Sequence, residues 1–117
     1  MASRLLTEPA QYIFARDMPA TRRWYTALIG FEPIEEDYGL RYDFGTHSLV
    51  LSPSGDKGIF GLMVSSVQEA RLRFSQAGIK VEETLGTVHN LDGDSASFRD
   101  PANNQVMVLE ESEKALT

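Results

Sequence analysis

The 117-residue chain contains no cysteine, which removes disulfide staples, thiolate nucleophiles and cysteine-based zinc sites from consideration. Its core has to hold without covalent help. Long apolar runs are missing too. Nowhere do the roughly 18 apolar residues of a membrane-spanning helix occur together, and the opening Met1 to Pro9 lacks the run of about 7 to 15 that a secretory signal needs. The expectation is a cytoplasmic protein with no membrane partner. Positive charge is scarce: 11 Lys and Arg stand against 17 Asp and Glu, a net −6, with acidic clusters at 32–37 and 110–113 and no basic stripe. Nucleic acid would be repelled by that balance and is not expected as a partner. Histidine occurs twice, so a histidine-rich metal or acid–base centre has little to draw on.

What is present is an internal repeat. Tyr12 to Arg16 form a short β-prone run, after which Asp17-Met18-Pro19 supplies a capping carboxylate and a proline suited to a first helical turn. Met18, Thr21, Tyr25, Leu28 and Ile29 then follow the spacing of one buried helical face, and Gly30 stands where a left-handed cap is wanted. The second half repeats the arrangement. Ile59 to Val64 is apolar, Ser65-Ser66 offers capping hydroxyls, and Val67, Ala70, Phe74 and Ala77 keep helical spacing before Gly78. Leu62 corresponds to Ile13, Ser66 to Asp17, Phe74 to Tyr25, and Ile79 to Phe31 after one deleted residue.

After each helix the pattern changes to short strands broken by turn residues: 32–37, 40–44 and 47–52 in the first half, 80–85, 95–99 and 105–111 in the second. The loop at 90–94 and the turn Asp100-Pro101-Ala102-Asn103-Asn104 separate the later ones. Pro53 to Gly58 is the linker, and 112–117 a frayed tail. The expected fold is therefore α+β: one domain over 1–117, made of two βαβββ units at 9–54 and 58–111. Helices lie on the outer face and a cupped mixed sheet surrounds a central cleft.

On these residues the chain resembles the vicinal oxygen chelate superfamily of glyoxalases, extradiol dioxygenases and bleomycin resistance proteins. Asp17 followed by Arg23-Trp24-Tyr25-Thr26-Ala27-Leu28-Ile29-Gly30-Phe31 is similar to its D…FY…LGF segment. Phe98-Arg99-Asp100-Pro101-Ala102-Asn103-Asn104 is similar to its F-x-D-P-x-G-N turn. Trp24 replaces the usual Phe and Asn103 the usual Gly; asparagine tolerates the left-handed conformation best among the other residues, so the turn is expected to survive.

The resemblance implies metal-ligand positions on the first and last strand of each unit, and matching the motifs puts these at Ala10, Val50, Ile59 and Met107. None carries the imidazole or carboxylate that a divalent cation requires, so no metal and no cofactor is expected. A one-residue slip drawing in Gln11 or Glu110 would turn those side chains to the opposite face. His47 and His89 read as exposed turn or strand-edge residues. No serine lies in a nucleophile context, and the glycines of 55–61 lack phosphate-loop spacing, so no catalytic residue is assigned.

By strand alternation Tyr12, Phe14, Val50, Ile59, Met63 and Met107 are expected to line the cleft, with Tyr38, Arg41, Tyr42 and Asp43 at its rim and Tyr42 among the ligand contacts. Aromatic and thioether side chains suit a planar or hydrophobic guest. The reading is a metal-independent small-molecule-binding protein of the drug-sequestering, bleomycin-resistance type. Its ligand would be a cationic or aromatic compound, and the resemblance implies a homodimer. Two alternatives stay open: a metal-dependent glyoxalase- or dioxygenase-like enzyme with displaced ligands, and an interaction domain whose cleft is filled.

Overall fold

The computed structural model describes residues 10–84 and 95–110. The expected tail, the 90–94 loop and His89 lie outside them. Chain order runs β1 (Ala10–Phe14), α1 (Met18–Ile29), β2 (Ile34–Glu36), β3 (Gly39–Asp43), β4 (Ser48–Ser52), β5 (Ile59–Val64), α2 (Val67–Gln76), β6 (Glu82–Thr84), β7 (Ser95–Arg99) and β8 (Gln105–Glu110). These make two four-stranded mixed sheets with matching orders, β1-β4-β3-β2 and β5-β8-β7-β6. In each, the first strand lies parallel to the last and the remaining pairs are antiparallel. Two βαβββ units are present, as the repeat implies.

Local chemistry sets the helix ends. Asp17 accepts the Ala20 N–H at 3.1 Å and Ser66 accepts the Glu69 N–H at 3.1 Å, each satisfying a donor the first turn leaves over. Gly30, at φ 100°, closes α1 with its N–H donating to Thr26 O. In α2 the last helical residue is Gln76; Ala77 falls in the cap and is exposed, not on the buried face its spacing suggested. The first strand likewise sits two residues earlier than expected, at 10–14 and not 12–16.

Alternation divides each sheet into a covered and an open face. Ile13, Leu40, Tyr42, Leu49 and Leu51 are buried under α1, and Leu62, Val64, Ala96, Phe98, Val106 and Val108 line the corresponding face of the second sheet. The two helices pack on each other, and α1 is buried more broadly than one stripe because Trp24 reaches the second unit. Its ring centroid lies 5.1 Å from Phe74 and 6.5 Å from Phe98.

Polar contacts lock the units at the same seam. Tyr25 Oη donates to Asp100 Oδ2 at 2.6 Å, and Asn104 Nδ2 donates to that oxygen and to Phe14 O. Asp100 Oδ1 accepts the backbone N–H of Ala102 and Asn104. Asn103 adopts φ 70°, so asparagine does take the left-handed position that the turn requires. Arg73 of α2 donates to Ala27 O at 2.7 Å and Leu28 O at 3.1 Å, covering carbonyls at the end of α1. The linker is stitched to β1: Phe14 N–H donates to Asp56 O, and Asp56 N–H to Tyr12 O. A Cβ on Gly55 would fall 2.4 Å from the Ile13 carbonyl carbon, so only glycine passes there without displacing β1.

Candidate ligand-binding faces

The open face of the first sheet is built in rows. Tyr12, Val50 and Arg41 share one row, with Ile34 beyond Arg41; Ala10, Ser48 and Asp43 share the next. Phe14 stands at the end of β1 with the Lys57 ammonium 5.0 Å from its ring centre. Arg41 is held by Glu36 at 3.1 Å and Asp43 at 3.5 Å. Tyr38 lies beside this cluster: partial burial and the Glu36 charge raise its pKa, opposed by the Arg41 charge and hydrogen bond.

The open face of the second sheet is simpler and barer. Ile59 and Met63 on β5 are 65% and 58% exposed, Met107 on the neighbouring β8 36%, and Gly61 leaves an open shelf between them. Gln105 Nε2 donates to Ser97 Oγ at 2.8 Å on the same face. Tyr12, across on the first sheet, is 52% exposed. Val50 differs in being buried at 1%, although it belongs to the same row as Tyr12.

Six of the seven expected ligand contacts, Tyr12, Phe14, Val50, Ile59, Met63 and Met107, thus lie on open faces. Tyr42 does not. It pairs with Leu49, one residue out of the Arg41–Val50 row, and this sends its ring under α1. There it shares a 2.8 Å hydrogen bond with Thr26 Oγ1 and is fully buried, its pKa pushed up to about 12 by burial against the opposing Thr26 hydrogen bond. Arg41 takes the open-face position in its place. His47 is exposed and stacked on Phe44.

None of the seven residues lines any of three surface cavities, of about 530, 430 and 500 Å³. The largest lies between the start of α1 and the β2–β3 hairpin, with Met18, Leu40, Tyr38 and Pro53 among its walls. The open faces are surfaces in a single chain and not an enclosed hollow.

The four positions matched to metal ligands occupy equivalent places. Val50 pairs with Tyr12, two residues on from Ala10, and Met107 pairs with Gly61, two residues on from Ile59. Methyl, isopropyl, sec-butyl and thioether groups offer a hard divalent cation nothing, so these residues do not fit a chelated metal. The residues a register slip would recruit are on the wrong side. Gln11 pairs with buried Leu49, and Glu110 Oε1 accepts the Val67 N–H at 2.9 Å at the start of α2. Among the described residues no three His, Asp or Glu side chains cluster closely enough to hold an ion.

The sequence profile of the Glyoxalase/Bleomycin resistance protein/Dioxygenase superfamily matches residues 6–108. The chain belongs to this superfamily. Solved structures similar to it include a glyoxalase/bleomycin resistance protein from Catenulispora acidiphila, with TM-score 0.68 and 17% identity, covering 89% of this chain and 97% of that one. An antibiotic-binding protein from a Streptomyces species matches with TM-score 0.63 and 21% identity over 90% of this chain and 95% of its own. A lactoylglutathione lyase from Agrobacterium tumefaciens matches with TM-score 0.59 and 22% identity over 87% and 91%. No curated protein sequence matches the chain. At these identities the structural neighbours establish the superfamily fold, which binders and lyases share. Among the described residues no helix is long and apolar enough to cross a membrane.

Proposed function

We propose that this superfamily member is a metal-independent binding protein that captures a planar or cationic small molecule against its open sheet faces. One observation carries the reading: Ala10, Val50, Ile59 and Met107 stand at the four equivalent strand positions, and none can donate to a metal. Exposed Tyr12, Ile59, Met63 and Met107 supply ring and thioether surface in place of ligands. The antibiotic-binding neighbour is a fold-level analogy in the same direction. Because those faces are bare in one chain, a second copy is proposed to cover them and complete the hollow, making a homodimer.

The test combines metal analysis of the purified protein, before and after exposure to Ni, Zn, Fe and Mn, with thermal shifts against planar aromatic and quaternary ammonium compounds. A ligand at about 100 times its Kd adds roughly 2.7 kcal/mol to the folded state. For a domain of this size that raises Tm by several degrees. Substoichiometric metal together with such a shift, lost in Met63→Lys, supports the proposal. One metal per chain, removable by chelator with loss of stability, would reject it in favour of a glyoxalase-like enzyme with displaced ligands. A protein that takes up neither metal nor any member of the compound panel would reject it in favour of an interaction domain.

A further inference from the structure

The cations of this acidic chain are unevenly answered. Arg22, Arg41, Arg71 and Arg73 each have a carboxylate oxygen at 3.9 Å or less. Arg16, Arg23, Lys57, Lys80 and Arg99 have none among the described residues, and three of these, Arg23, Lys80 and Arg99, line the 430 Å³ groove between α1, the 100–104 turn and the Gly78–Glu82 segment. The two arginines are already aimed by backbone carbonyls. Arg23 Nη2 donates to Ala77 O at 2.8 Å and Arg99 Nη1 to Asn103 O at 3.3 Å. Each guanidinium has five N–H groups, so donors remain for a ligand while the side chain is held in place.

Two carboxylates also reach the groove, and they differ. Asp100 accepts four hydrogen bonds, from Tyr25, Ala102 and twice from Asn104, so its charge is spent inside the turn. Glu82, exposed and opposite Arg99 on the neighbouring strand, is the one free negative group at the rim. The apolar part of the wall comes from Ala20, Trp24, Ile79 and Pro101. The volume lies within the range of small-molecule sites.

We propose that this groove binds a small organic anion, an oxygen-bearing headgroup such as a phosphate monoester carried on an apolar or aromatic body. The headgroup is taken by Lys80 and Arg99 with Arg23 behind them, and the body lies along Trp24, Ile79 and Pro101. Arg99 and Glu82 stand in the row of Gln105 and Ile59, at the end of the second open face, but the groove shares no residue with Tyr12, Ile59, Met63 or Met107. Its test is read at Trp24 and Lys80, away from those four side chains, so its failure is distinguishable from failure of the binding-protein reading.

Trp24 is the only tryptophan of the chain, so its fluorescence reports this groove directly. The probe is phenyl phosphate, with phenol as its neutral counterpart. Phenyl phosphate is expected to change Trp24 emission saturably, with a dissociation constant near or below ~1 mM at low ionic strength, weakening as salt screens the cations. Phenol is expected to give no saturable change. Lys80→Gln should weaken binding about 5-fold and Glu82→Gln should tighten it by a similar factor, the size of one charge interaction at a wet surface. Neither side chain makes a hydrogen bond or ion pair among the described residues, so both variants should fold as the parent does, which circular dichroism checks. The proposal is overturned by no saturable change up to about 10 mM, by phenol matching phenyl phosphate, or by either variant leaving the affinity where it was.

Discussion

Replacing Tyr25 with Phe removes a single oxygen from the seam between the two units, and the cost follows from its surroundings. The hydroxyl is buried and donates to the Asp100 carboxylate at 2.6 Å. Hydrogen bonds to charged groups contribute about 1.5–3 kcal/mol net. Asp100 keeps three other donors after the change, from Ala102 N, Asn104 N and Asn104 Nδ2, so it is not stranded, and the lower half of that range applies: roughly 1.5–2 kcal/mol. Asp100→Ala is harsher. It leaves the Tyr25 hydroxyl, two backbone N–H groups and one amide N–H without their acceptor, and a cost of about 3–5 kcal/mol is expected from breaking a buried network of this kind.

Urea unfolding followed by circular dichroism reads both variants. With slopes of about 1–3 kcal/mol per molar, Tyr25→Phe should lower the midpoint by roughly 0.5–2 M. Tyr12→Phe is the control, because that hydroxyl is on a ring 52% exposed and has no comparable acceptor among the described residues. The double variant Tyr25→Phe with Asp100→Ala should cost less than the sum of the two, the shortfall being the coupling across the seam. Equal costs for the Tyr12 and Tyr25 hydroxyls, or strict additivity in the double variant, would refute the account of Asp100 as the shared acceptor.

Asn103→Gly should be neutral or slightly stabilising and Asn103→Val should cost about 1–3 kcal/mol, since φ is 70° there and a β-branched residue resists it; the urea midpoints of the pair decide this. Alkaline unfolding is expected to steepen above about pH 10. Burial, with the Asp100 charge next, raises the Tyr25 pKa well above its ordinary value of 10.0, and Tyr42 is pushed up to about 12. The folded state therefore holds these protons more tightly than the unfolded chain. That stability is intact below the unfolded pKa and lost as pH rises through the folded values, and Tyr25→Phe should flatten the decline in a stability–pH series. Ile59→Lys and Met63→Glu should leave the monomer's unfolding free energy within about 0.5 kcal/mol of the parent, because both side chains are exposed. Sedimentation should show them weakening self-association, and a dimer that tolerates both charges would count against the open faces as the dimer contact.

How far the sequence could be read depended on whether a signal was local. The helices are legible because their stops are chemical: Asp17 and Ser66 cap, Gly30 turns left-handed, and each lies within a few residues of what it controls. Strand alternation is legible for the same reason, and it puts Tyr12, Ile59, Met63 and Met107 on the open side. Tyr42 misleads because three consecutive residues, Arg41, Tyr42 and Asp43, all have chemistry suited to a rim. Only pairing with β4 shows that Arg41 and not Tyr42 shares the Val50 row. Asp100 and Asn104 stand out in a recognisable turn, but their partners Tyr25 and Phe14 are 75 and 90 residues away, and no periodicity reports a contact of that span. The cationic groove is hidden for the same reason, since Arg23 and Arg99 meet only after the units close on each other.

The placement of the seam bears on what the open faces are for. Every contact described between the units involves their helices, the turn at 100–104 or the linker: Trp24 with Phe74 and Phe98, Tyr25 with Asp100, Arg73 with the end of α1, and Asn104 with Phe14 O. Ile59, Met63 and Met107 take no part in any of these. Their exposure is therefore not the by-product of holding the units together, and burying them later costs no contact that the fold needs. The two faces also differ in kind. On the first, Ser48, Val50 and Ser52 are as buried as Leu49 and Leu51, and Arg41 is fixed between two carboxylates. On the second, β5 presents Ile59, Gly61 and Met63 with flexible side chains and an open shelf. A guest that meets both would be oriented by the first face and accommodated by the second, a division under which thioether side chains can adjust to the guest's shape while Arg41 stays fixed.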